Sequence, residues 1–496
     1  MVNIQPKNQR NTINSLPFGI SINEDPTAFI SEKNEKPITK ELCQARMDLY
    51  DTRSIKEIFL CPINMRLSLN SNITEPFWHE IELPEEYANF RYLVKNMKYC
   101  YDHGINPCLI WLERIRQNGQ SPWLSMRMND VHSVHDENNP LHSVFWKQNP
   151  HLRRAPYRAE LTGQALDYGR KEVRERSLQI IKENLDFYSP DGLELDWMRF
   201  PDHFRPGFES DGRKQLNEFL RQIKKLTEKK GIQLGVRVPA RPHDAFRMGF
   251  DVYTWSEEKL VDRLVATPFW ASSDYDLPIE EWKRVLHKDI LLCAGIEILS
   301  RTSENQNFFS NTDEIIFGYA ANFLARGADR LYFFNHMASH TGMHSKTQFN
   351  NVMNNAGDIE SIKKQNRRHV ITYTDTRPVG IKHDNVLPVT LPPEIFTAFR
   401  IPTGLPPEQN QNCELILGFP EKNDFNGNLR IWINAQEISS ITPKIRKKDV
   451  PEDVSLLLSW NINNALLNGY DNVIELYNRN EDKKITINWC ELYYHA

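Results

Sequence analysis

Runs of alternating apolar and polar residues recur along the first two thirds of the chain, and segments with helical periodicity separate them. Side chains alternate between the two faces of a strand, so such a run predicts a strand with one apolar face. The clearest example spans residues 191–201. Its apolar face holds Leu193, Leu195 and Trp197, and its polar face holds Gly192, Glu194 and Asp196.

Eight strands are predicted in this region, with helical segments such as Glu172–Ser189 and Asp211–Lys230 between them. The strands are Phe18–Asp25, Ile55–Ile63, Ser121–Asp130, Asp191–Pro201, Ile232–Val238, Asp262–Pro268, Asp289–Glu297 and Arg330–Asn335. This alternation predicts an α/β fold, a (β/α)8 TIM-type barrel over residues 17–364. A doubly wound open sheet is the alternative. No G-x-G-x-x-G motif follows any strand, so dinucleotide binding by such a sheet is disfavoured.

After about Lys364 the pattern changes to short β-rich runs separated by turn residues, which predicts a smaller β-sandwich or jelly-roll domain over residues 365–496. Its role stays open between glycan binding, subunit contact and support of the barrel. Residues 1–16 are polar and are expected to form a disordered lead-in.

Composition narrows the choice of partners. The net charge is −4 and no Lys/Arg-rich run occurs, so nucleic acid is not expected as a partner.

No apolar run approaches 18 residues, which argues against a membrane span. The first twenty residues lack an apolar core, so no signal peptide is predicted. The protein is expected to be soluble, either cytoplasmic or, after removal of a leader, periplasmic or secreted. A homodimer is compatible with the sequence.

The seven cysteines are scattered and form no C-x-x-C pair, so buried free thiols are expected and no cofactor is predicted. His132-Ser-Val-His135-Asp136 places three ligand types close together, but it lacks the spacing of a zinc motif. A metal site is therefore not predicted. A histidine here suits proton transfer, because its ordinary pKa lies near neutrality. The alternative is a loop histidine whose hydrogen bonds have only a structural role.

Polar residues recur at the C-terminal ends of the predicted strands, where the reacting groups of TIM barrels lie. An isolated Arg at such a position could simply neutralise a neighbouring acid, but recurrence in strand after strand predicts a catalytic mouth. Carboxylates suit the cleavage of a glycosidic bond, and Arg forks bind carboxylate, sulfate or phosphate. An anionic sugar is therefore favoured as the substrate. The residues are Glu24, Asp25, Arg127, Asn129, Asp130, His132, Glu194, Asp196, Arg199, Arg237, Glu297 and Asn335.

Two motifs, Ser125-Met-Arg-Met-Asn-Asp-Val-His132 and Leu195-Asp-Trp-Met-Arg-Phe-Pro201, resemble glycoside hydrolase family 156. The resemblance covers nearly the whole chain and implies an exo-sialidase that works with inversion. It places the catalytic pair on Asp25 and His132. It places substrate-binding residues on Arg127, on Arg199 and, by topology, on Asn335.

The residues and the resemblance together give one main hypothesis. Asp25 activates a water and His132 protonates the leaving oxygen, although the two roles can be exchanged. Glu194 and Asp196 are predicted to hold substrate hydroxyls or to orient Arg199, and Asn129 and Arg237 are predicted to bind the substrate. One alternative is a carboxylate-pair glycosidase that uses Asp196 and Glu297 on a neutral or sulfated sugar. The other is a glycan-binding protein without catalysis.

Overall fold

The structure is a computed structural model that describes residues 18–32, 37–79, 83–158, 161–270, 272–337, 345–422, 425, 427–446 and 450–496. The predicted lead-in, residues 1–16, lies outside the described residues. The strands and helices below are numbered in chain order.

Eight parallel strands form a closed barrel in sequential order, with β1 paired to β8. They are β1 (Ile20–Glu24), β2 (Ile55–Ile63), β3 (Ser121–Arg127), β4 (Gly192–Asp196), β5 (Gln233–Pro239), β6 (Arg263–Thr267), β7 (Leu291–Glu297) and β8 (Arg330–Phe334). The predicted TIM-type barrel is confirmed, because all eight strands occur where the alternation placed them. Most are shorter than predicted, since the polar residues at their ends belong to the loops that follow.

Helices surround the barrel. In the first half they are α1 (Pro26–Ile30), α2 (Lys40–Asp48), α3 (Arg91–Asp102), α4 (Pro107–Gln117), α5 (Val144–Gln148), α6 (Lys171–Tyr188) and α7 (Glu209–Lys230). In the second half they are α8 (Pro242–Arg247), α9 (Val252–Glu257), α10 (Ile279–Val285), α11 (Asp313–Ala325), α12 (Lys346–Asn355) and α13 (Ile359–Ile362). The layer between strands and helices is apolar, and it includes Leu193, Leu195 and Trp197 of the 191–201 segment.

Large side chains fill the barrel interior, so the barrel is a packed core rather than a channel. Its middle layer is an apolar cluster formed by Phe59, Trp123, Val265, Cys293, Tyr332 and Phe334. At the N-terminal end Glu57 is buried, and it accepts hydrogen bonds from Ser21 (2.7 Å) and Arg263 (2.8 Å). The open space is therefore confined to the C-terminal end of the strands.

The C-terminal residues form antiparallel sheets. The strands are β9 (Arg367–Val370), β10 (Val389–Leu391), β11 (Phe396–Pro402), β12 (Asn412–Phe419), β13 (Leu429–Ile433), β14 (Gln436–Glu437), β15 (Lys444–Ile445), β16 (Leu456–Ile462), β17 (Asp471–Asn478), β18 (Ile485–Ile487) and β19 (Trp489–His495). One sheet has the order β9-β19-β12-β16-β15, a second has the order β11-β17-β13-β14, and β10 pairs with β18. The sheets share an apolar core that is separate from the core of the barrel.

Helix α11 packs directly against β9 of the C-terminal sheets. The contact is so close that a Cβ atom on Gly318 of α11 would lie 2.1 Å from the carbonyl oxygen of Arg368. Residues Ile315 to Leu324 of this helix are all buried. Its apolar surface therefore faces the barrel on one side and the C-terminal sheet on the other.

Candidate active site

A cavity of about 390 Å³ opens at the C-terminal end of the barrel. Its size is near the lower end of the range for small-molecule sites, roughly 300–1,000 Å³. Polar and charged side chains line one side: Asp25, Thr27, Ser31, Asn64, Arg127, Asp130, His132, Arg199 and Asn335. Apolar side chains line the other: Ala28, Met65, Phe77, Phe90, Leu93, Leu141 and Met337.

Asp25 lies directly after β1 at the buried side of the cavity, with 10% of its side chain exposed. Its Oδ1 caps helix α1 by accepting hydrogen bonds from the backbone N–H (2.9 Å) and hydroxyl (2.6 Å) of Thr27. Its Oδ2 accepts a hydrogen bond from Arg127 at 2.6 Å. The preceding Glu24 is buried elsewhere, against Arg46 at 3.0 Å. Asp25 is thus the acid of this pair that lines the cavity.

Arg127, the last residue of β3, bridges two carboxylates. Its Nη2 donates to Oδ2 of Asp25 at 2.6 Å, and its Nη1 donates to Oδ2 of Asp130 at 3.2 Å. A guanidinium presents its donors in a fixed fork, so it sets the spacing of the two acids. Although Arg127 lines the cavity, its charge is already matched within the protein.

His132 and Asp130 form a hydrogen-bonded pair beside this bridge. Oδ1 of Asp130 accepts from the backbone N–H of His132 at 3.1 Å and lies 2.5 Å from Nδ1 of its ring. The other ring nitrogen, Nε2, lies 3.1 Å from Nη2 of Arg199. Because Arg has no acceptor, Nε2 must accept and Nδ1 must carry the proton. In this arrangement 38% of the His132 side chain is exposed.

Asp130 remains ionised despite its burial. Burial disfavours its charge, but His132, Arg127 and Arg199 outweigh that effect, so the pKa of Asp130 lies far below its usual value. An anionic carboxylate that holds the Nδ1–H of a histidine fixes the tautomer and stabilises the imidazolium when Nε2 takes a proton. The pair is therefore equipped for proton transfer at Nε2.

Arg199 differs from Arg127 in its surroundings. Among the described residues no carboxylate lies within salt-bridge distance of its guanidinium, and its Nε is buried without a hydrogen bond. Burial and the charge of Arg127 lower the pKa of Arg199. A desolvated cation in this state favours an anionic ligand. The next residue, Phe200, has a φ of 52°, a strained value for a bulky residue, and its ring packs edge-on against His132 at 5.0 Å.

Asn335 lines the cavity and contacts the buried carboxyl group of Glu297. Asn335 follows β8 with a φ of 59°, which Asn tolerates better than most residues, and it donates to Oε1 of Glu297 at 2.5 Å. Burial raises the pKa of Glu297 to about 8, against the hydrogen bond from Asn335 and the charges of Arg237 and Arg199. Glu297 is thus protonated at neutral pH. It does not line the cavity.

Four predicted substrate-binding residues also do not line the cavity. Asn129 holds the loop, since its side chain bonds both backbone groups of Leu166 at 3.0 Å. Glu194 lies inside the barrel and accepts from Ser125 and Tyr332, each at 2.8 Å. The other two are Asp196 and Arg237.

Asp196 and Arg237 are buried against each other. Nη1 of Arg237 donates to both carboxylate oxygens of Asp196, at 3.0 and 3.1 Å. The same carboxylate accepts from the backbone N–H groups of Met198 and Arg199, at 3.0 and 3.1 Å. Asp196 therefore fixes the turn that carries Arg199, which is the orienting role among those predicted for this group. With its oxygens occupied, it is poorly placed to act as a nucleophile with Glu297.

The sequence analysis assigned no role to two parts of the cavity. Asp130 was noted only as a polar residue at a strand end, although its position two residues before His132 makes the short contact geometrically easy. The apolar lining comes mainly from the segment after β2 and from α3, with single residues from α1 and from the segments after β3 and β8, and no local motif marks it.

Two further observations concern the described residues. Within them, no group of three or more His, Cys, Asp or Glu side chains is arranged to hold a metal ion. No helix in the same part of the chain is both long and apolar enough to cross a membrane.

The chain matches no protein-family model and no curated protein. Similar solved structures include a noncanonic maltogenic alpha-amylase, AmyB, from Thermotoga neapolitana, with 11% identity, a TM-score of 0.40, and coverage of 96% of this chain and 99% of that one. A Group IV chitinase from Ostrinia furnacalis has 11% identity, a TM-score of 0.39, and coverage of 68% and 99%. These scores are too low to carry an inference about activity. The fold and the site define a TIM-barrel protein with a polar cavity at the catalytic end of the barrel.

Proposed function

We propose that the protein is a glycoside hydrolase that releases a terminal anionic sugar, an exo-sialidase acting with inversion. The observation that carries the proposal is Arg199, a half-buried residue whose Nε is buried without a hydrogen bond and whose guanidinium has no carboxylate within salt-bridge distance among the described residues. It faces the same cavity as Asp25 and the Asp130–His132 pair. Binding of a sugar carboxylate would supply the missing charge through the bidentate geometry that Arg favours.

The different exposures of Asp25 and His132 indicate which residue acts as the base and which acts as the acid. A terminal sugar occupies the cavity, and the rest of the glycan leaves towards solvent. His132, with 38% of its side chain exposed, is placed to protonate the leaving oxygen. Asp25, with 10% exposed, is placed to activate water at the enclosed end.

Inversion is part of the proposal because other charged groups lie between the two residues and because of the chemistry of the substrate. Asp25 and His132 are separated by the guanidinium of Arg127 and the carboxylate of Asp130. Inverting glycosidases keep their acid and base about 6.5–9.5 Å apart so that a water fits between the base and the sugar. A sialoside also carries a carboxylate on its anomeric carbon, which would repel an attacking carboxylate but not a neutral water.

The direct test is hydrolysis of a fluorogenic sialoside, with the first-formed anomer of the released sugar followed by proton NMR. Release of sialic acid with inverted configuration is expected. Retention of configuration would contradict the mechanism. Turnover of a neutral or sulfated hexoside instead of the sialoside would favour the other glycosidase class, and binding without turnover would indicate a lectin.

The role of Arg199 has its own control. Arg199→Met keeps an unbranched apolar side chain but removes the charge, so kcat/KM on the sialoside should fall about 100-fold or more, the loss expected for a charged hydrogen-bonding partner. Arg400→Met, on β11 with 58% of its side chain exposed, serves as the matched surface substitution and should leave the rate unchanged.

A further inference from the structure

Two exposed aromatic side chains meet at the mouth of the barrel, outside the cavity. Trp270 follows β6 and is 44% exposed, and Phe308, in the loop after β7, is also 44% exposed. Their ring centroids are 5.8 Å apart. Paired aromatics left open to water on a protein surface commonly mark a binding surface, because their apolar area gains by being covered.

A continuous series of ring contacts connects this pair to the proposed acid. The ring of His132 packs against Phe200 at 5.0 Å, and Phe200 packs against Phe269 at 5.2 Å. Phe269 directly precedes Trp270 in the chain. The exposed pair is therefore connected to His132 through the rings of Phe200 and Phe269, and its orientation towards the leaving group follows from the proposed role of His132 as the acid.

A cation, the guanidinium of Arg301, accompanies the pair. The guanidinium of Arg301 lies 4.8 Å from the ring centroid of Phe308 and 5.3 Å from that of Tyr373. Its Nη1 donates to the carbonyl of Glu304 at 3.0 Å, while its Nε is buried without a hydrogen bond. No carboxylate in the described part of the chain forms a salt bridge with it.

The loop that carries Trp270 is held firmly. The two oxygens of Asp375 accept the backbone N–H groups of Phe269 (2.7 Å) and Trp270 (2.8 Å). Asp375 belongs to the segment that follows β9, so the C-terminal part of the chain fixes the loop. Because these bonds use the backbone, they survive truncation of the Trp270 side chain. A fixed aromatic surface loses little freedom when a ligand binds.

We infer that Trp270, Phe308 and Arg301 form a subsite for the leaving group, which takes an acidic oligosaccharide. The sugar next to the scissile bond lies against the aromatic pair, and Arg301 binds a carboxylate on that sugar. The inference rests on the proposed function for its orientation. It adds that the preferred substrate carries a second acidic sugar behind the terminal one.

The test compares three substrates that differ only in their leaving groups: methyl sialoside, a sialyl-lactose and a disialyl oligosaccharide. The methyl group is too small to reach Trp270, Phe308 or Arg301. In Trp270→Ala, kcat/KM should fall about tenfold or more for both oligosaccharides and stay within about twofold for the methyl glycoside. In Arg301→Met, only the disialyl substrate should lose rate, by a similar factor.

Phe187→Ala is the matched control, because Phe187 is an exposed aromatic (49%) on α6, outside the mouth. It should leave all three rates unchanged. Equal losses on all three substrates in Trp270→Ala would mean that the residue only supports the fold, and unchanged rates would mean that it binds nothing. Either result overturns the subsite.

If the wild-type protein hydrolyses none of the three, the proposed function fails and the subsite is judged by binding alone. Calorimetric titration with the disialyl oligosaccharide then decides. Affinity that is lost in both Trp270→Ala and Arg301→Met supports an acidic-glycan site. Affinity that is equal in wild type and variants, or absent from the wild type, overturns it.

Discussion

Arg199 donates a hydrogen bond from Nη2 to Nε2 of His132 across 3.1 Å, and this contact requires a neutral imidazole. The same nitrogen must carry a proton if His132 is to act as an acid. An anionic ligand that binds the guanidinium of Arg199 would break this hydrogen bond and leave Nε2 free to accept a proton. Asp130, on the other side of the ring, would then stabilise the positive charge of the imidazolium. Substrate binding and protonation of His132 are thus linked through one guanidinium.

This linkage predicts proton uptake when an anionic sugar analogue binds. The groups that face the imidazole are Asp130, Arg199 and, through its ring, Phe200. Titration calorimetry near neutral pH, in buffers of different ionisation enthalpy, should report uptake of up to about one proton per ligand. Arg199→Met should bind the analogue more weakly and take up no proton. Equal heats in all buffers for the wild type would exclude the linkage.

A second prediction concerns Asp130. Asp130→Asn keeps the shape of the side chain but removes the charge that stabilises the imidazolium, so kcat should fall by about 10²–10⁴ with little change in KM. Asp136→Asn is the control, because Asp136 is a carboxylate of the same loop that bonds Tyr87 at 2.7 Å instead of His132. A similar loss in both variants would point to disruption of the loop rather than to loss of proton transfer.

A third prediction separates the two tasks of Asp25, which caps α1 and faces the cavity. Asn and Ser also cap helices well, so Asp25→Asn and Asp25→Ser should unfold within a few degrees of the wild type. Both lack an ionised oxygen, so their turnover should fall by about 10²–10⁴, the usual contribution of a positioned base. Thermal unfolding and steady-state kinetics measure the two effects independently. Full turnover in either variant would remove Asp25 as the base.

A fourth prediction uses the raised pKa of Glu297. The pKa is about 8 in the folded protein, whereas an unfolded chain has the ordinary value near 4.3. Between these values the folded state binds more protons, so the contribution of Glu297 to the free energy of unfolding falls as pH rises. Glu297→Gln cannot ionise and keeps an oxygen that can accept from Asn335.

The variant should therefore be more stable than the wild type at about pH 9, by on the order of 2 kcal/mol, and nearly equal to it at about pH 5. Denaturant unfolding at both pH values measures the difference. Glu481→Gln, at an exposed turn, should track the wild type throughout. A constant difference at both pH values would mean that the effect of the substitution is not due to ionisation.

The sequence predicted the barrel well because its signals are local. Period-two alternation in each strand depends only on neighbouring residues, and the polar residues at the strand ends follow from the topology once the barrel is assumed. The proximity of Asp25, Arg127, His132, Arg199 and Asn335 at one cavity is therefore within reach of sequence reasoning.

The sequence could not show which polar residues line the cavity and which only stabilise the fold. Arg127, Arg199 and Arg237 all lie near strand ends, yet one bridges two acids, one has no acidic partner among the described residues, and one is buried against Asp196. These differences depend on partners distant in the chain: Asp25 is 102 positions from Arg127, and Arg237 is 41 from Asp196. Sequence periodicity does not reveal such pairings between distant residues.

The close contact of Gly318 with Arg368 limits how the polypeptide can be divided. At Gly318 the space between α11 and β9 has room for a hydrogen atom but not for a Cβ atom, so the two surfaces are closely complementary. Expression of the first 364 residues alone would leave the outer side of α11 in water, and we expect such a fragment to aggregate. Transplanting the C-terminal sheets onto another barrel would require a glycine at the matching turn of the recipient's helix between the seventh and eighth strands.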